Sequence, residues 1–177
     1  IGGIQVTDPV IASTALVRAS AALQFSASVQ ALAAGISTLA LAATVIPGGL
    51  IADRFGRRRV LMAALVVGAA GQLITAFAPG TGIFLLGRVI AGIAMGVLFG
   101  ASYALLRVVA SKSLGPAMGL YNVGNLVIAL TFGFVGGALA TLSWRYSFML
   151  LPVLALVCFV LVPRLLPTVE PLPHVSK

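Results

Sequence analysis

Apolar residues fill this chain in six long runs, each bounded by charge, proline or glycine. Most runs approach or exceed the roughly 20 residues that a helix needs to cross a hydrocarbon core of about 30 Å. The pattern therefore predicts an all-α protein with six transmembrane helices. We expect them at residues 1–18, 29–51, 60–78, 82–106, 117–141 and 146–163. The first run looks shortened at its front, so we expect the true start of the chain to lie upstream.

Charge is scarce along the whole chain. Of its 177 residues, 8% are charged and 60% are hydrophobic, whereas a soluble domain has about 25% charged residues. So few charges cannot cover a surface in water, and lipid is the solvent that fits. The net charge of +8 would suggest nucleic acid in a soluble protein, but the basic residues lie in short segments between apolar runs. We therefore expect contact with membrane lipid and none with nucleic acid.

The basic residues are unevenly divided between the two sides of the predicted membrane. With the start of the chain in the cytoplasm, eight of the eleven lie inside, as the positive-inside bias requires. These eight are Arg54, Arg57, Arg58, Arg59, Arg107, Lys112, Arg164 and Lys177. Arg18 and Arg145 then face outward, and Arg88 falls within a span. Trp144 and Tyr146 are expected at the outer interface, where amphipathic rings prefer to lie.

Two ionisable residues within the spans are the candidates for function, because a charge inside a bilayer is costly, by contested estimates from about 2.5 kcal/mol upward. Asp8 precedes Pro9, which lacks an N–H and frees a backbone carbonyl. A carboxyl group in a partly dry cavity can take up a proton near neutral pH; the alternative is a solvated position near the outer mouth. Arg88 stays charged, so it would hold nearby protonation states, bind an anion or only pack helices. The sequence leaves open whether Asp8 and Arg88 meet.

Five charges occur within residues 53–59, in the tight loop expected between spans two and three. A topological anchor would explain the arginines but neither Asp53 nor the flanking glycines. The stretch "GLIADRFGRRRVL" resembles the signature of the major facilitator superfamily. The resemblance implies a conformational latch in which Asp53 caps a helix of a second half. Its residues would be Gly49, Asp53, Arg54, Gly56, Arg57 and Arg58.

Other motifs extend the resemblance over nearly the whole chain. "FLLGRVIAGIAMG" is similar to the family's fourth-span pattern at Arg88 and Gly92, with Ala91 where Gln is usual. "TDPVIASTALV" resembles the first span of fourteen-span drug:proton antiporters at Asp8, and "SWRYSF" resembles their Trp-Arg motif. "LTFGFVGGAL" departs from the fifth-span antiporter signature, because Phe132 and Gly133 stand where Gly-Pro is expected, which weakens the antiport interpretation.

Small residues and a few amides complete the candidates. Glycines in spans four and five are expected to pack helices closely: Gly92, Gly96, Gly136 and Gly137. Gly100 extends the row of span four, and Arg88 lies on the same face. Asn122 and Asn125 are weak cavity candidates. Gln5, Gln30 and Gln72 are interpreted as interhelical hydrogen-bonding residues.

With one His, one Cys and three acids, the chain offers no catalytic or metal-binding constellation, so we expect no enzyme activity, metal or cofactor. The resemblance implies one half of a major-facilitator fold, with a bundle at 1–166 and the start of a linker at 167–177. A second six-span half, a small-molecule substrate and protons would be its partners. The predicted function is proton-coupled efflux of lipophilic or amphipathic compounds across a bacterial inner membrane. Proton-linked metabolite uptake and a non-transporting membrane module are the alternatives.

Overall fold

A computed structural model describes residues 2–165, which form six helices joined by short connections. The helices are α1 (Gly2–Ala22), α2 (Ala27–Phe55), α3 (Arg57–Ala76), α4 (Thr81–Val109), α5 (Leu114–Leu142) and α6 (Trp144–Leu165). The six predicted helices are thus present, most with somewhat longer bounds. The sequence prediction ended the last span at residue 163, whereas α6 continues to Leu165. The predicted linker at 167–177 lies outside the described residues.

Five of these six helices, α2 to α6, are long and apolar enough to cross a membrane. α1 has sufficient length, at 21 residues, but its polar side chains lower its hydropathy. Gln5, Thr7 and Asp8 are all buried inside the bundle. Because these groups face other helices, the lower hydropathy of α1 reflects its interior face. Its role as a sixth span remains a prediction.

Successive helices run in alternating directions. Gly92 and Gly100 of α4 approach Ser37 and Val45 of α2 in the same order along both helices, so α2 and α4 are parallel. Gly71 of α3 approaches Ala91 of α4, in an antiparallel pair. We call the end of the bundle where α2 meets α3 the Gly56 end, and the end where α5 meets α6 the Trp144 end.

α4 lies at the centre of the packing and contacts both α2 and α3 extensively. α1 packs mainly on α5, and α3 packs on α6 as well as on α4. Close approach between helices depends on small residues, as is usual where lipid removes the hydrophobic drive between them. The buried residues of α2, for example, are Ala33, Ser37, Gly48 and Ala52. The rest of this 29-residue helix is partly or fully exposed.

The charged stretch of the sequence does not form a loop, and this corrects the prediction. Asp53 and Arg54 belong to the last turn of α2, and the arginines at 57–59 form the first turn of α3. Gly56 alone separates the two helices. Its φ of 93° is one that residues with a side chain rarely adopt. Its N–H donates to the Ala52 carbonyl at 3.1 Å, and its own carbonyl accepts from the Val60 N–H.

Candidate functional site

Asp8 and Arg88 meet in the interior of the bundle. Arg88 Nη1 donates to Asp8 Oδ1 at 2.7 Å, which joins α1 to α4 across 80 residues of sequence. The two side chains are only 5% and 1% exposed, respectively. Asp8 is therefore a buried group with a charged partner, and the solvated position near the outer mouth is not the one it occupies.

Two further side chains complete the cluster. Gln72 Nε2 of α3 donates to Asp8 Oδ1, and Arg88 Nη2 donates to Ser37 Oγ of α2, each at 2.5 Å. The Arg88 guanidinium carbon also lies 5.6 Å from the centroid of the Phe148 ring, within the range of cation–π attraction. Four helices thus contribute to one polar site, which we call the buried charge cluster: Asp8, Ser37, Gln72 and Arg88.

Glycines bring the backbones close enough for these side chains to reach one another. A Cβ added at Gly92 would collide with the Ser37 carbonyl oxygen, and one at Gly71 would lie 2.6 Å from the Ala91 nitrogen. The first contact holds α4 on α2 one turn from Arg88. The second holds α3 on α4 beside Gln72. Substitution of either glycine would therefore also displace the cluster.

The cluster is electrically balanced only while Asp8 is ionised. Arginine keeps its charge in proteins, so a proton on Asp8 would leave the Arg88 guanidinium as an unpaired charge in the interior. Removal of one partner from a buried pair costs about 3–5 kcal/mol. A change of charge at Asp8 is therefore coupled to the position of Arg88, and through Ser37 and Gln72 to α2 and α3.

Pro9 lies inside α1 without ending the helix. Because proline has no N–H, the carbonyl of Gln5 receives no hydrogen bond from it. Thr7 Oγ1, by contrast, donates to the Gly3 carbonyl at 2.6 Å. The backbone next to Asp8 thus carries fewer hydrogen bonds than a regular helix does.

The predicted latch residues lie together at the Gly56 end, away from the cluster. Arg57 donates through Nε and Nη2 to Asp53 Oδ1, at 3.0 and 2.6 Å. The Asp53 side chain is 46% exposed. The Arg54 guanidinium lies 5.5 Å from the Phe55 ring centroid, and Arg58 is partly buried. Asp53 therefore has accessible surface that a partner helix could contact.

The predicted glycines differ in how closely they pack. Gly96 faces Thr44 and the Leu41 carbonyl of α2 too closely for a Cβ. A Cβ at latch residue Gly49 would make only an ordinary contact, 3.6 Å from the Gly100 oxygen.

The same difference separates the two glycines of α5. A Cβ at Gly136 would lie 2.7 Å from the Ile11 side chain, whereas one at Gly137 would come no closer than 4.0 Å to its nearest neighbour, on Thr14. Gly136 is thus at the tight contact between α1 and α5, and Gly137 is not.

Asn122 and Asn125 belong to a separate group at the Gly56 half of α5. Tyr103 Oη donates to Asn122 Oδ1 at 3.0 Å in an exposed position. Asn125 is 7% exposed and lies against Gly2. Tyr103 and Tyr121 pack edge to face, with ring centroids 5.4 Å apart. Neither asparagine is hydrogen-bonded to the buried charge cluster.

The Trp-Arg motif links α6 to the end of α3. Arg145 Nη1 donates to the Ala76 carbonyl at 2.8 Å, at the C-terminus of α3, where unpaired carbonyls favour a cation. Trp144 is only 7% exposed and packs against Phe84 and Phe148. The Trp144 ring therefore contributes to the core at this end, and its place at the membrane interface stays a prediction. Tyr146 is 52% exposed, and its interfacial position likewise stays a prediction.

Sequence reasoning missed Ser37 and Gly48. A Cβ at Gly48 would lie 2.5 Å from the Val97 Cα, so Gly48, and not its neighbour Gly49, makes the close contact. Ser37 lies 11 residues before Gly48, or about three turns, and thus on the same helix face. Their spacing is a signal for one packed face of span two, although it does not show that Ser37 meets Arg88.

Comparison with known proteins identifies the family of this chain. The model of the Major Facilitator Superfamily matches residues 4–177. The chain is 35% identical over 118 residues to a multidrug resistance protein B homolog of Mycobacterium tuberculosis, a match that covers 65% of this chain and 22% of that protein. It is 33% identical over 139 residues to a "probable multidrug-efflux transporter" of the same species, covering 73% and 29%. The puromycin resistance protein of Streptomyces alboniger is 30% identical over 116 residues, covering 62% and 22%.

Because the family model matches nearly the whole chain, the chain belongs to the Major Facilitator Superfamily, a family of membrane transporters. The prediction of this family is confirmed. The matches cover between about a fifth and a third of the length of these relatives.

Proposed function

We propose that this chain is the N-terminal half of a secondary transporter that exports lipophilic or amphipathic small molecules in exchange for protons. The ion pair between Asp8 and Arg88 carries the proposal, because it couples the charge of one carboxylate to contacts on four helices. The names of the relatives, which include multidrug and puromycin resistance proteins, support export of such compounds.

In this mechanism Asp8 is the proton carrier. A proton that binds the carboxylate releases the Arg88 guanidinium from its ion pair. The freed guanidinium keeps its contacts with Ser37 and Phe148, and its Nη1 can then donate to another acceptor. Because the cluster joins α1, α2, α3 and α4, this shift favours a different packing of the bundle, and proton release restores the first one.

The mechanism requires a second six-span half and alternating access by rocking of the two halves, as in transporters built from repeats. α2 and α5 have exposed apolar side chains that such a partner or lipid would cover, among them Leu39, Ile46, Leu120 and Phe134. The latch at the Gly56 end would hold that side shut through Asp53. By the positive-inside bias this side is cytoplasmic, in a bacterial inner membrane with the N-terminus inside.

Proton-linked uptake of a metabolite is the second candidate. The fifth-span sequence favours it, since Phe132 and Gly133 replace the Gly-Pro of antiporters. The same pair of charges would serve either direction. A membrane module that transports nothing is disfavoured, because it would have no use for a buried ion pair.

The test uses the complete transporter, with both halves, in proteoliposomes under an imposed pH gradient. A panel of lipophilic cations and neutral amphiphiles is followed for wild type, Asp8→Asn and Asp53→Asn. Proton-driven accumulation of a compound in wild type that is lost in Asp8→Asn is expected. Normal transport by Asp8→Asn would place the proton site elsewhere, and the absence of any export by wild type would favour uptake or the non-transporting module.

A further inference from the structure

Gln72 has an amide group of which only one end is hydrogen-bonded. Its Nε2 donates to Asp8, while its Oε1 is buried without a partner. The side chain is fully buried, and a small void beside it, lined by Ile4, Leu65 and Met95, has no space for water. A buried acceptor without a partner is unfavourable, because it has lost its hydrogen bonds to water and gained none in the protein. Oε1 is therefore an unused acceptor, available to Asp8 if the amide turns and Nε2 takes its place.

We propose that Gln72 is a positioning residue that holds Asp8 in both of its protonation states by rotating its amide. This inference rests on the proposed function, in which Asp8 gains and loses a proton. An ionised carboxylate only accepts hydrogen bonds, and Gln72 Nε2 supplies one. A protonated carboxyl has an O–H that must donate, and a half turn of the amide brings Oε1 to the place of Nε2.

The half turn fits the tight surroundings of Gln72. An amide NH₂ group and an amide oxygen have nearly the same size, which is why they are hard to tell apart in structures. Exchanging them therefore needs no additional space and no water. The proton comes from water when the site is open, forms the Asp8 O–H bond, and returns to water on release.

The other side chains of the buried charge cluster do not offer Asp8 an acceptor. Arg88 has donors only, and Ser37 contacts Arg88, not Asp8. α5 has no charged residue at all. The remaining charged side chains of the helices packed against α1 lie near helix ends. They are Asp53, Arg54, Arg107, Arg145 and Arg164.

Gln5 provides a matched control on α1. It lies three residues before Asp8 and is 2% exposed, and neither its Nε2 nor its Oε1 has a partner. Gln5→Met and Gln72→Met each replace a buried amide with an apolar side chain of similar length. Only the second removes a hydrogen bond to Asp8.

The experiment is infrared difference spectroscopy between low and high pH on the complete transporter in membranes, with isotope-labelled glutamine to identify amide bands. In wild type we expect a carboxyl band that Asp8→Asn abolishes, together with a shift of one glutamine carbonyl band as it gains a hydrogen bond. The glutamine shift should be lost in Gln72→Met and in Asp8→Asn and retained in Gln5→Met. If Gln72→Met does not fold, Gln72→Asn is used in its place. It keeps an amide at this position but removes the isotope-labelled glutamine.

The outcomes separate this inference from the proposed function. An Asp8 carboxyl band without a glutamine shift, or a shift that survives in Gln72→Met or Gln72→Asn, overturns the role of Gln72 and leaves proton binding at Asp8 in place. The absence of any carboxyl band that depends on Asp8 overturns the proposed function, and the role of Gln72 with it.

Discussion

Two Asp–Arg pairs lie within residues 2–165, and they differ in almost every property that sets the strength of an ion pair. Asp53 and Arg57 are four residues apart on either side of Gly56, and the Asp53 side chain is 46% exposed. Asp8 and Arg88 are 80 residues apart, and their side chains are 5% and 1% exposed. The distances are nearly equal, at 2.6 and 2.7 Å.

Distance alone therefore does not set what an ion pair contributes to stability. An exposed pair is screened by water and salt and is worth about 0–1 kcal/mol. In a buried pair each charge depends on the other, because neither is solvated. The exposed pair can therefore open and re-form with a small change in free energy. The buried pair responds strongly to one proton.

The largest expected effect follows from breaking the buried pair. Arg88→Leu leaves the Asp8 carboxylate buried without its partner and should lower the free energy of unfolding by about 3–5 kcal/mol. The measurement is unfolding of the purified protein in detergent. The double variant Asp8→Leu/Arg88→Leu removes both charges and should recover most of this loss while it stays inactive in proton-driven transport. If the single and double variants are equally unstable, the two buried charges do not depend on each other.

A second test moves the helices that hold the buried pair. In Gly92→Ala the new Cβ meets the Ser37 carbonyl, and such overpacking costs about 1–3 kcal/mol. Gly137→Ala is the control, because its Cβ would be 4.0 Å from the nearest atom. Gly92→Ala should lower both the melting temperature and the rate of proton-driven transport. Gly137→Ala should change neither. Similar results for both would mean that α2 and α4 tolerate separation.

A third test concerns the backbone beneath the exposed pair. Gly56→Ala forces a side chain into a φ of 93°, and strain of this kind costs about 1–3 kcal/mol. Gly80→Ala is the matched control. It also has open space around it, but its φ of −163° suits any residue. A lower melting temperature is expected for Gly56→Ala only. An equal effect of both would point to loss of glycine as such.

The smallest effect on stability is expected from breaking the exposed pair. Asp53→Asn should lower the free energy of unfolding by only about 0.3–0.5 kcal/mol, and less at high salt. If Asp53 belongs to a latch, the rate of transport by the complete transporter should fall clearly all the same. Normal transport at wild-type rates would remove the latch from the mechanism.

The sequence predicted the helices well, because runs of apolar residues of this length have few other stable structures in lipid. It also singled out Asp8 and Arg88 from the cost of a charge in the membrane. It did not predict that the two meet, since this depends on how α4 packs on α2 at Gly92 and how α1 packs on α5 at Gly136. Ser37 was missed for a related reason, because one hydroxyl in an apolar span gives no sign of its partner. The buried position of Trp144 depends likewise on the arrangement of Phe84 and Phe148.

The separation of Asp8 from Arg88 along the chain has a consequence for biosynthesis. Ribosomes add about 5–20 residues per second, so the carboxylate of α1 leaves the ribosome about 4–16 s before its arginine. During this interval α1 would enter the bilayer with an unpaired charge, at a cost of about 2.5–3.5 kcal/mol on insertion scales. We therefore expect α1 to remain at the insertion machinery until α4 arrives. In nascent chains arrested after α3, α1 should then be extracted from the membrane more readily than in chains arrested after α4. Asp8→Leu should abolish this difference.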